Sequence, residues 1–192
     1  PDGRAYYASP RLSGMSLERF LARHGRIDVP RALALLQPVA SALDALHDAG
    51  IVHGCLHTES IFLHYQGGHV TPYLLDTGLS ELIAESGVRT VAGVPLGRPF
   101  YISPEQVKEL DPTPRSDVYS LGAITMEVVA GEPPFATGSA LVIRMAHVDG
   151  GQRAPSSVCS ELPEALDAPI LAMLERNPEA RPARASEGLS SL

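Results

Sequence analysis

Apolar positions along the chain follow two different periods. Within 28–50, DVPRALALLQPVASALDALHDAG, Leu33, Leu36, Val39, Ala40, Leu43 and Leu46 recur at helical spacing, and Gly50 is placed to end the helix. Pro38 falls inside that pattern, where it either kinks the helix or is tolerated near its first turns. Upstream, SGMSLERFLARHG predicts a shorter helix capped by Ser16 and stopped by Gly25. From Ile51 the period changes. Ile61 to Tyr65 and Val70 to Leu75 are β-favouring runs separated by Gln-Gly-Gly-His, which predicts a small hairpin.

Residues 79–104 carry Gly, Pro, Thr and Ser without any period, so a long loop is predicted; loops of that length in compact domains are usually functional. Helical pattern resumes in DPTPRSDVYSLGAITMEVVAGEPPF. Pro114 precedes the helix, Ser116 is its expected cap, and Gly131 with Pro133 and Pro134 stops it. It is apolar on nearly every face, which predicts a central helix buried all round. SALVIRMAHVDG and PEALDAPILAMLERN supply two further amphipathic helices, and ASEGLSSL begins a last one. No internal repeat is present. The expected fold is mainly α with one minor hairpin.

Composition narrows the function classes. The 192 residues fit one ordinary domain or one large lobe of a bigger one, and 44% hydrophobic with 19% charged residues permits a sizeable core. A formal net charge of −7, with no basic cluster, argues against a nucleic-acid binder. Cys55 and Cys159 do not make a disulfide framework, and the first ten residues lack a signal-peptide layout. The longest apolar stretch, Val118 to Ala130, is interrupted by Ser120, Thr125 and Glu127 and falls short of the ~20 residues needed to span a bilayer. A cytoplasmic protein without a membrane segment is expected. Lys108 is the only lysine, so any mechanism that needs one must use it.

Five motifs in order give these elements a family resemblance. Ile51-Val52-His53-Gly54-Cys55-Leu56-His57-Thr58-Glu59-Ser60 stands where protein kinases carry a His-Arg-Asp catalytic loop. Leu75-Asp76-Thr77-Gly78 is similar to the Asp-Phe-Gly motif, and Gly97 to Glu105, ending Ser103-Pro104-Glu105, to the end of an activation segment. Ser116-Asp117 opens what resembles the central helix of the large lobe, and Asn177 to Pro182 resembles the closing arginine motif. Over residues ~14–192 the chain resembles the C-terminal lobe of a bacterial-type serine/threonine protein kinase. The resemblance implies a helical bundle around a central buried helix, with a small β-hairpin beside the catalytic loop. No glycine-rich phosphate loop or strand lysine is found, and Ala5-Tyr6-Tyr7-Ala8 resembles the end of a hinge. The N-terminal β lobe is therefore expected to be absent. Residues 1–13 would be the end of the hinge region, 51–78 the catalytic-loop and Asp-Phe-Gly-like segment, and 79–105 the activation segment.

At the site the resemblance implies loss of chemistry. Cys55 stands at the position of the catalytic Asp, and a neutral thiol of ordinary pKa about 8.5 does not take up a hydroxyl proton as a carboxylate does. Gly54 replaces the preceding Arg, His57 the lysine two residues on, and Ser60 the Asn that holds a second metal ion. Asp76 is kept as a weak Mg²⁺ candidate, a single ligand for a strongly hydrated ion. Thr77 replaces the Phe of its motif, and Arg98 the Thr that bonds the catalytic Asp. Structural positions are kept: Asp117 to brace the loop around His53, and Glu105 with Arg181 as a buried ion pair.

Other chemistries are weaker on the same residues. His53, Cys55 and His57, with His64 and His69 nearby, have zinc-ligand types but not zinc-site spacing, and Cys159 is remote. A packed His53 and a solvent-accessible His57 are expected instead. An activated Cys55 nucleophile would need a base and an orienting group, and nothing identifies an oxyanion site. Ser103 and Thr90 are candidate phosphorylation targets of the kind any loop contains.

The reading is a catalytically inactive pseudokinase that acts through protein binding or scaffolding, with no cofactor expected. The alternative is a fragment of a serine/threonine kinase that uses Mg-ATP and protein substrates, its small lobe missing here. In either case apolar surface near Leu63, Leu74 and Leu75, facing the missing lobe, is expected to be exposed and open to homo- or hetero-oligomer formation.

Overall fold

A computed structural model describes residues 11–77 and 99–192. The hinge-like Ala5 to Ala8, together with Gly78, Thr90, Gly97 and Arg98, lie outside the described residues. The elements run β1 (Gly14–Ser16), α1 (Leu17–His24), α2 (Val29–Asp48), β2 (Ile61–Gln66), β3 (His69–Leu74), α3 (Pro104–Val107), α4 (Pro114–Ala130), α5 (Ala140–Asp149), α6 (Pro155–Val158), α7 (Asp167–Met173) and α8 (Ala185–Ser190). Short 3₁₀ turns lie at Glu164–Leu166 and Pro178–Ala180.

Helix α4 is the axis of the molecule. Pro114 occupies its first turn with φ already set for a helix, and Thr113 and Ser116 exchange a reciprocal capping pair. Thr113, not Ser116, is thus the cap residue; Ser116 is the partner three positions on. Gly131 ends the helix in the left-handed region at φ 93°. Every residue from Ser116 to Met126 is buried. Two hydroxyls inside that run are satisfied locally: Ser120 Oγ donates to the Tyr101 carbonyl at 2.7 Å and Thr125 Oγ1 to the Leu121 carbonyl at 2.7 Å.

Helix α2 packs on α4 and on α8. Asp28 caps it, accepting from Arg31 N at 3.1 Å, and Leu36, Val39, Ala40 and Leu43 enter the core. Leu33 and Leu46, at the edge of that stripe, are half-buried. Pro38 is exposed and the helix continues through it. The terminus also differs from expectation: Ala49 is the cap, and Gly50 follows it at φ 77°. Asp44, buried near the C-terminal end, accepts from Ala185 N at 2.8 Å and from Ser186, so α2 caps α8 with its own carboxylate.

The sheet corrects the expected fold. Besides the predicted hairpin there is a third strand: β1 pairs antiparallel with β2, Met15 opposite Leu63, in the order β1-β2-β3. A three-residue strand is too short to show a period of two, so its side chains do not reveal it. Gly14 makes the pairing possible, since a Cβ there would sit 1.9 Å from the Leu63 carbonyl oxygen. A mainly α lobe carrying only a hairpin, with N-terminal β structure absent, is therefore not what the chain forms. Leu63 itself is buried at 1% exposure and Leu74 and Leu75 are half-buried, while the exposed apolar surface near them lies on the hairpin at Tyr65, Val70 and Tyr73. Gly67 and Gly68, at φ 58° and 81°, supply the two positive dihedrals of the β2–β3 turn.

Close packing makes one glycine testable. A Cβ on Gly122 would stand 2.7 Å from Met173 Cβ on α7. Alanine would gain about 1 kcal/mol of helix propensity but lose roughly 1–3 kcal/mol to overpacking. Gly122→Ala is expected to lower the urea midpoint; a raised midpoint would place α7 farther from α4 than described.

Candidate active site

Asp117, in the first turn of α4, organises the loop before β2. It is 1% exposed. Its Oδ2 accepts from His53 N at 2.9 Å and its Oδ1 from Gly54 N at 2.8 Å. His47 Nε2, from the last turn of α2, lies 2.8 Å from Oδ2. Three donors from two elements thus converge on one carboxylate. The His53 ring is wholly buried, with Nε2 2.9 Å from the Leu75 carbonyl and Nδ1 3.4 Å from Cys55 N. These contacts assign the Nε2–H tautomer, with Nδ1 accepting. The loop is thereby tied to the end of β3, next to Asp76.

Cys55 is partly exposed at the centre of this loop. Burial, reinforced by the negative charges of Asp117 and Asp76, pushes its thiol up to about 11. The group is a neutral thiol at physiological pH, neither a base nor a thiolate nucleophile. Ser60 is fully buried, and its hydroxyl is used inside the loop: it donates to the His57 carbonyl at 2.7 Å and accepts from His57 N at 3.0 Å. His57 Nδ1 accepts from Glu59 N at 3.2 Å. Asp76 is exposed, with φ 61°, a left-handed conformation that Asp adopts more readily than most residues.

Mg-ATP is the group that the resemblance implies, and a two-ligand metal site does not fit these residues. The Ser60 hydroxyl is fully buried and bonded to His57, and Asp76 is the carboxylate that the resemblance places at the metal. Among the described residues no group of three His, Cys, Asp or Glu side chains is placed to hold a metal ion. His53 has both ring nitrogens occupied, and His64 Nδ1 lies 2.8 Å from the Ser13 carbonyl.

Behind the loop lies a polar scaffold. Arg181 places all five of its N–H groups: Nη1 and Nη2 on Glu105 Oε1 and Oε2 at 2.7 and 2.8 Å, Nε on the Glu175 carbonyl at 2.7 Å, and the remaining two on the carbonyls of Arg115 at 2.7 Å and Arg176 at 3.3 Å. Ser116 Oγ adds a 2.6 Å bond to Glu105 Oε1. Burial works against the Glu105 charge, but the Arg181 and Ser116 hydrogen bonds outweigh it and hold the carboxyl below the usual glutamate range. The Arg181 guanidinium also stacks 4.8 Å from the centre of the Tyr119 ring.

Several contributors have no signal in the sequence. Gln106 Nε2 donates to the Gly54 carbonyl at 2.6 Å while its Oε1 accepts from Ser103 Oγ at 2.9 Å, so α3 clamps the loop from the other side. Thr58 Oγ1, Tyr101 Oη and Glu127 Oε2 form a chain with steps of 3.0 and 2.6 Å. His47 belongs to the same class, since an exposed-looking helix terminus gives no hint of a distant aspartate. Only the helical spacing of His47 from Leu43, one turn back on the core face, points inward. Ser103 is fully buried, which removes it as an accessible phosphorylation target in this conformation. Lys108 is exposed just past α3.

Comparison with known proteins agrees with this geometry. A family model described as the protein kinase domain matches residues 3–191. The serine/threonine-protein kinase PknE of Mycobacterium tuberculosis is 33% identical over 180 residues, 94% of this chain and 31% of that protein. PkaA of Streptomyces coelicolor is 36% identical over 172 residues, 89% of this chain and 31% of PkaA. PknL of M. tuberculosis is 35% identical over 181 residues, 94% of this chain and 44% of PknL. The chain thus spans well under half the length of these curated relatives. Among solved structures, the M. tuberculosis PknI kinase domain superposes with a TM-score of 0.71 at 21% identity, covering 94% of this chain and 62% of that one. A kinase fold over 94% of the chain, with a three-stranded sheet beside the helices, overturns the expectation of a helical lobe lacking its N-terminal β lobe.

Two measurements check the site. Arg181→Met strands the Glu105 charge and is expected to cost about 3–5 kcal/mol in urea unfolding. Because the folded Glu105 carboxyl lies below its ordinary range, its stabilisation is complete above about pH 4.3 and fades as pH falls below that. Glu105→Gln should flatten that acid limb. For Cys55, the pH profile of iodoacetamide alkylation in a Cys159→Ser background is expected to rise with a half-point near 11. A half-point near the ordinary ~8.5 would place the thiol in water.

Proposed function

The chain belongs to the protein kinase family, and on that premise we propose that it is a pseudokinase domain of the bacterial serine/threonine class, acting by binding a protein partner. The observation that carries this reading is Cys55. A neutral thiol stands where the resemblance places the proton-accepting carboxylate, with its pKa raised to about 11 by burial and by two neighbouring carboxylates. The same carboxylates that raise it would also oppose the approach of a phosphate. Ser60 is fully buried, with its hydroxyl proton given to the His57 carbonyl, and stands in place of the longer amide ligand of the motif. Nucleotide binding is accordingly proposed to be weak or absent. No helix of the described residues is long and apolar enough to cross a membrane, and a signalling role in the cytoplasm is part of the proposal.

A second reading has its own support. The relatives are named as serine/threonine-protein kinases, and Asp76 retains a carboxylate at the metal-binding position. In this reading the chain transfers the ATP γ-phosphate to Ser or Thr of protein substrates.

Nucleotide binding separates the two. Thermal unfolding of the chain is expected to be unmoved by millimolar Mg-ATP. A clear upward shift that Asp76→Ala abolishes would overturn the pseudokinase reading. Cys55→Asp is expected to raise phosphorylation of a generic protein substrate only if a nucleotide site remains; no gain over background counts against the enzyme reading.

A further inference from the structure

Helix α5 is held to the molecule by little. Of its ten residues only Ile143 and His147 are buried, while Leu141, Val142 and Met145 stand 68%, 55% and 45% exposed. It packs on α3, and among the described residues two hydrogen bonds tie it down. One joins His147 Nδ1 to Tyr119 Oη of α4 at 2.7 Å, and the other runs from Arg176 Nη1 to the Asp149 carbonyl at 3.1 Å. Glycines at positive φ flank both ends, Gly138 at 110° before the helix, Gly150 and Gly151 at 78° and 85° after it. A helix with few buried side chains and pliable ends is the kind of element that opens locally while the rest stays folded.

His147 makes that opening sensitive to protons. Its ring is wholly buried, edge-on to Tyr119 and Phe135 at centroid separations of 5.5 and 4.8 Å. Tyr119 has no other hydrogen-bond partner among the described residues, so its hydroxyl donates to Nδ1 and the ring is the neutral Nε2–H tautomer. Nε2 closes no hydrogen bond among the described residues. Protonation turns Nδ1 into a donor facing that hydroxyl, and the Tyr119 proton loses its acceptor. It also places a positive charge where every nearby carboxylate is already engaged or turned to water. From α4 the facing group is the neutral Tyr119, whose ring already carries the Arg181 guanidinium 4.8 Å from its centre. The carboxylate of α3, Glu105, is taken on both oxygens by Arg181, and Glu132 of the loop before α5 is paired with Arg153. On α5 itself Asp149 is exposed, and Arg144, one turn before His147, is a further cation whose buried Nε has no partner among the described residues. Arg176 adds positive charge at the end of the helix. Burial pushes the His147 imidazole down to about 4, against a smaller opposite pull from the Pro99 carbonyl.

We propose that α5 is an acid-released latch: the Tyr119–His147 bond holds the helix against α3 at neutral pH, and protonation of His147 in a mildly acidic medium favours its release. In the open state the histidine meets water and titrates near its ordinary value of about 6.5. The closed value lies below that, so closure is fully favoured above about pH 6.5 and loses ground as pH falls toward 4. At about pH 5 the open state is favoured about 30-fold more than at about pH 7.5. Release adds Ile143 and the half-buried Phe135 to the apolar surface of Leu141, Val142 and Met145. It also removes the neighbour of α3, whose Gln106 holds the Gly54 carbonyl. The latch is independent of phosphoryl transfer and stands whichever way the nucleotide assays fall.

Amide hydrogen exchange of the whole chain, followed by mass spectrometry at about pH 5 and about pH 7.5 and corrected for the intrinsic exchange rate at each, tests the proposal. Protection of the α5 amides from Ile143 to Asp149 is expected to be about 30-fold lower at the acidic pH, with the α4 amides unchanged. His147→Gln, which does not titrate, should remove the difference. Tyr119→Phe keeps the ring without the hydroxyl and should lower α5 protection several-fold already at the higher pH. Equal protection of α5 at the two pH values would overturn the latch, as would a difference that persists in His147→Gln. Unchanged α5 protection in Tyr119→Phe would show that the bond does not hold the helix. Loss of α4 protection in step with α5 would make the response global acid unfolding and would equally sink the proposal.

Discussion

A single buried carboxylate sets the geometry of the whole site. Asp117 projects from the axis helix and takes N–H groups from His53, Gly54 and His47 on its two oxygens. Two of these three donors are backbone amides, so Asp117 holds the loop by its main chain. This explains how the loop keeps its shape while carrying a cysteine. Chemistry and scaffold are separable here because they depend on different atoms.

The same separation runs through the surrounding contacts. Arg181 meets Glu105 with a bidentate pair and spends its other N–H groups on backbone carbonyls, so both buried charges are paired. Gln106 reaches the Gly54 carbonyl from α3, opposite to the amide that Asp117 holds. None of these bonds involves Cys55, Ser60 or Asp76 as a side chain. These bonds therefore hold the loop whichever residue the chain carries at position 55. The thiol itself stays protonated, its pKa raised by burial and by the neighbouring negative charges.

What could be read from the sequence follows the range of each interaction. Helix α4 was legible because Pro114, Gly131 and a run of apolar residues are local signals, and the hairpin because Gly67 and Gly68 mark its turn. The family resemblance named Asp117, Glu105 and Arg181 through their motifs. Strand β1 was not legible, since three residues carry no period and their pairing is made by backbone groups of β2. The mistaken expectation of missing N-terminal β structure rested on the absent glycine-rich loop and strand lysine, and nothing in the pattern at residues 14–16 countered it. His47, Gln106 and the Thr58–Tyr101–Glu127 chain were equally silent. Each acts on a residue 26 or more positions away, where spacing along the chain says nothing about distance in space.

The proposal that binds these observations is that this kinase scaffold does not carry out phosphoryl transfer. Transfer of radiolabelled γ-phosphate from Mg-ATP to a mixed library of Ser- and Thr-containing peptides, by the unaltered chain, addresses it most directly. The account predicts incorporation indistinguishable from that of an Asp76→Ala chain measured alongside. Labelled peptide formed by the unaltered chain and lost in Asp76→Ala would contradict it.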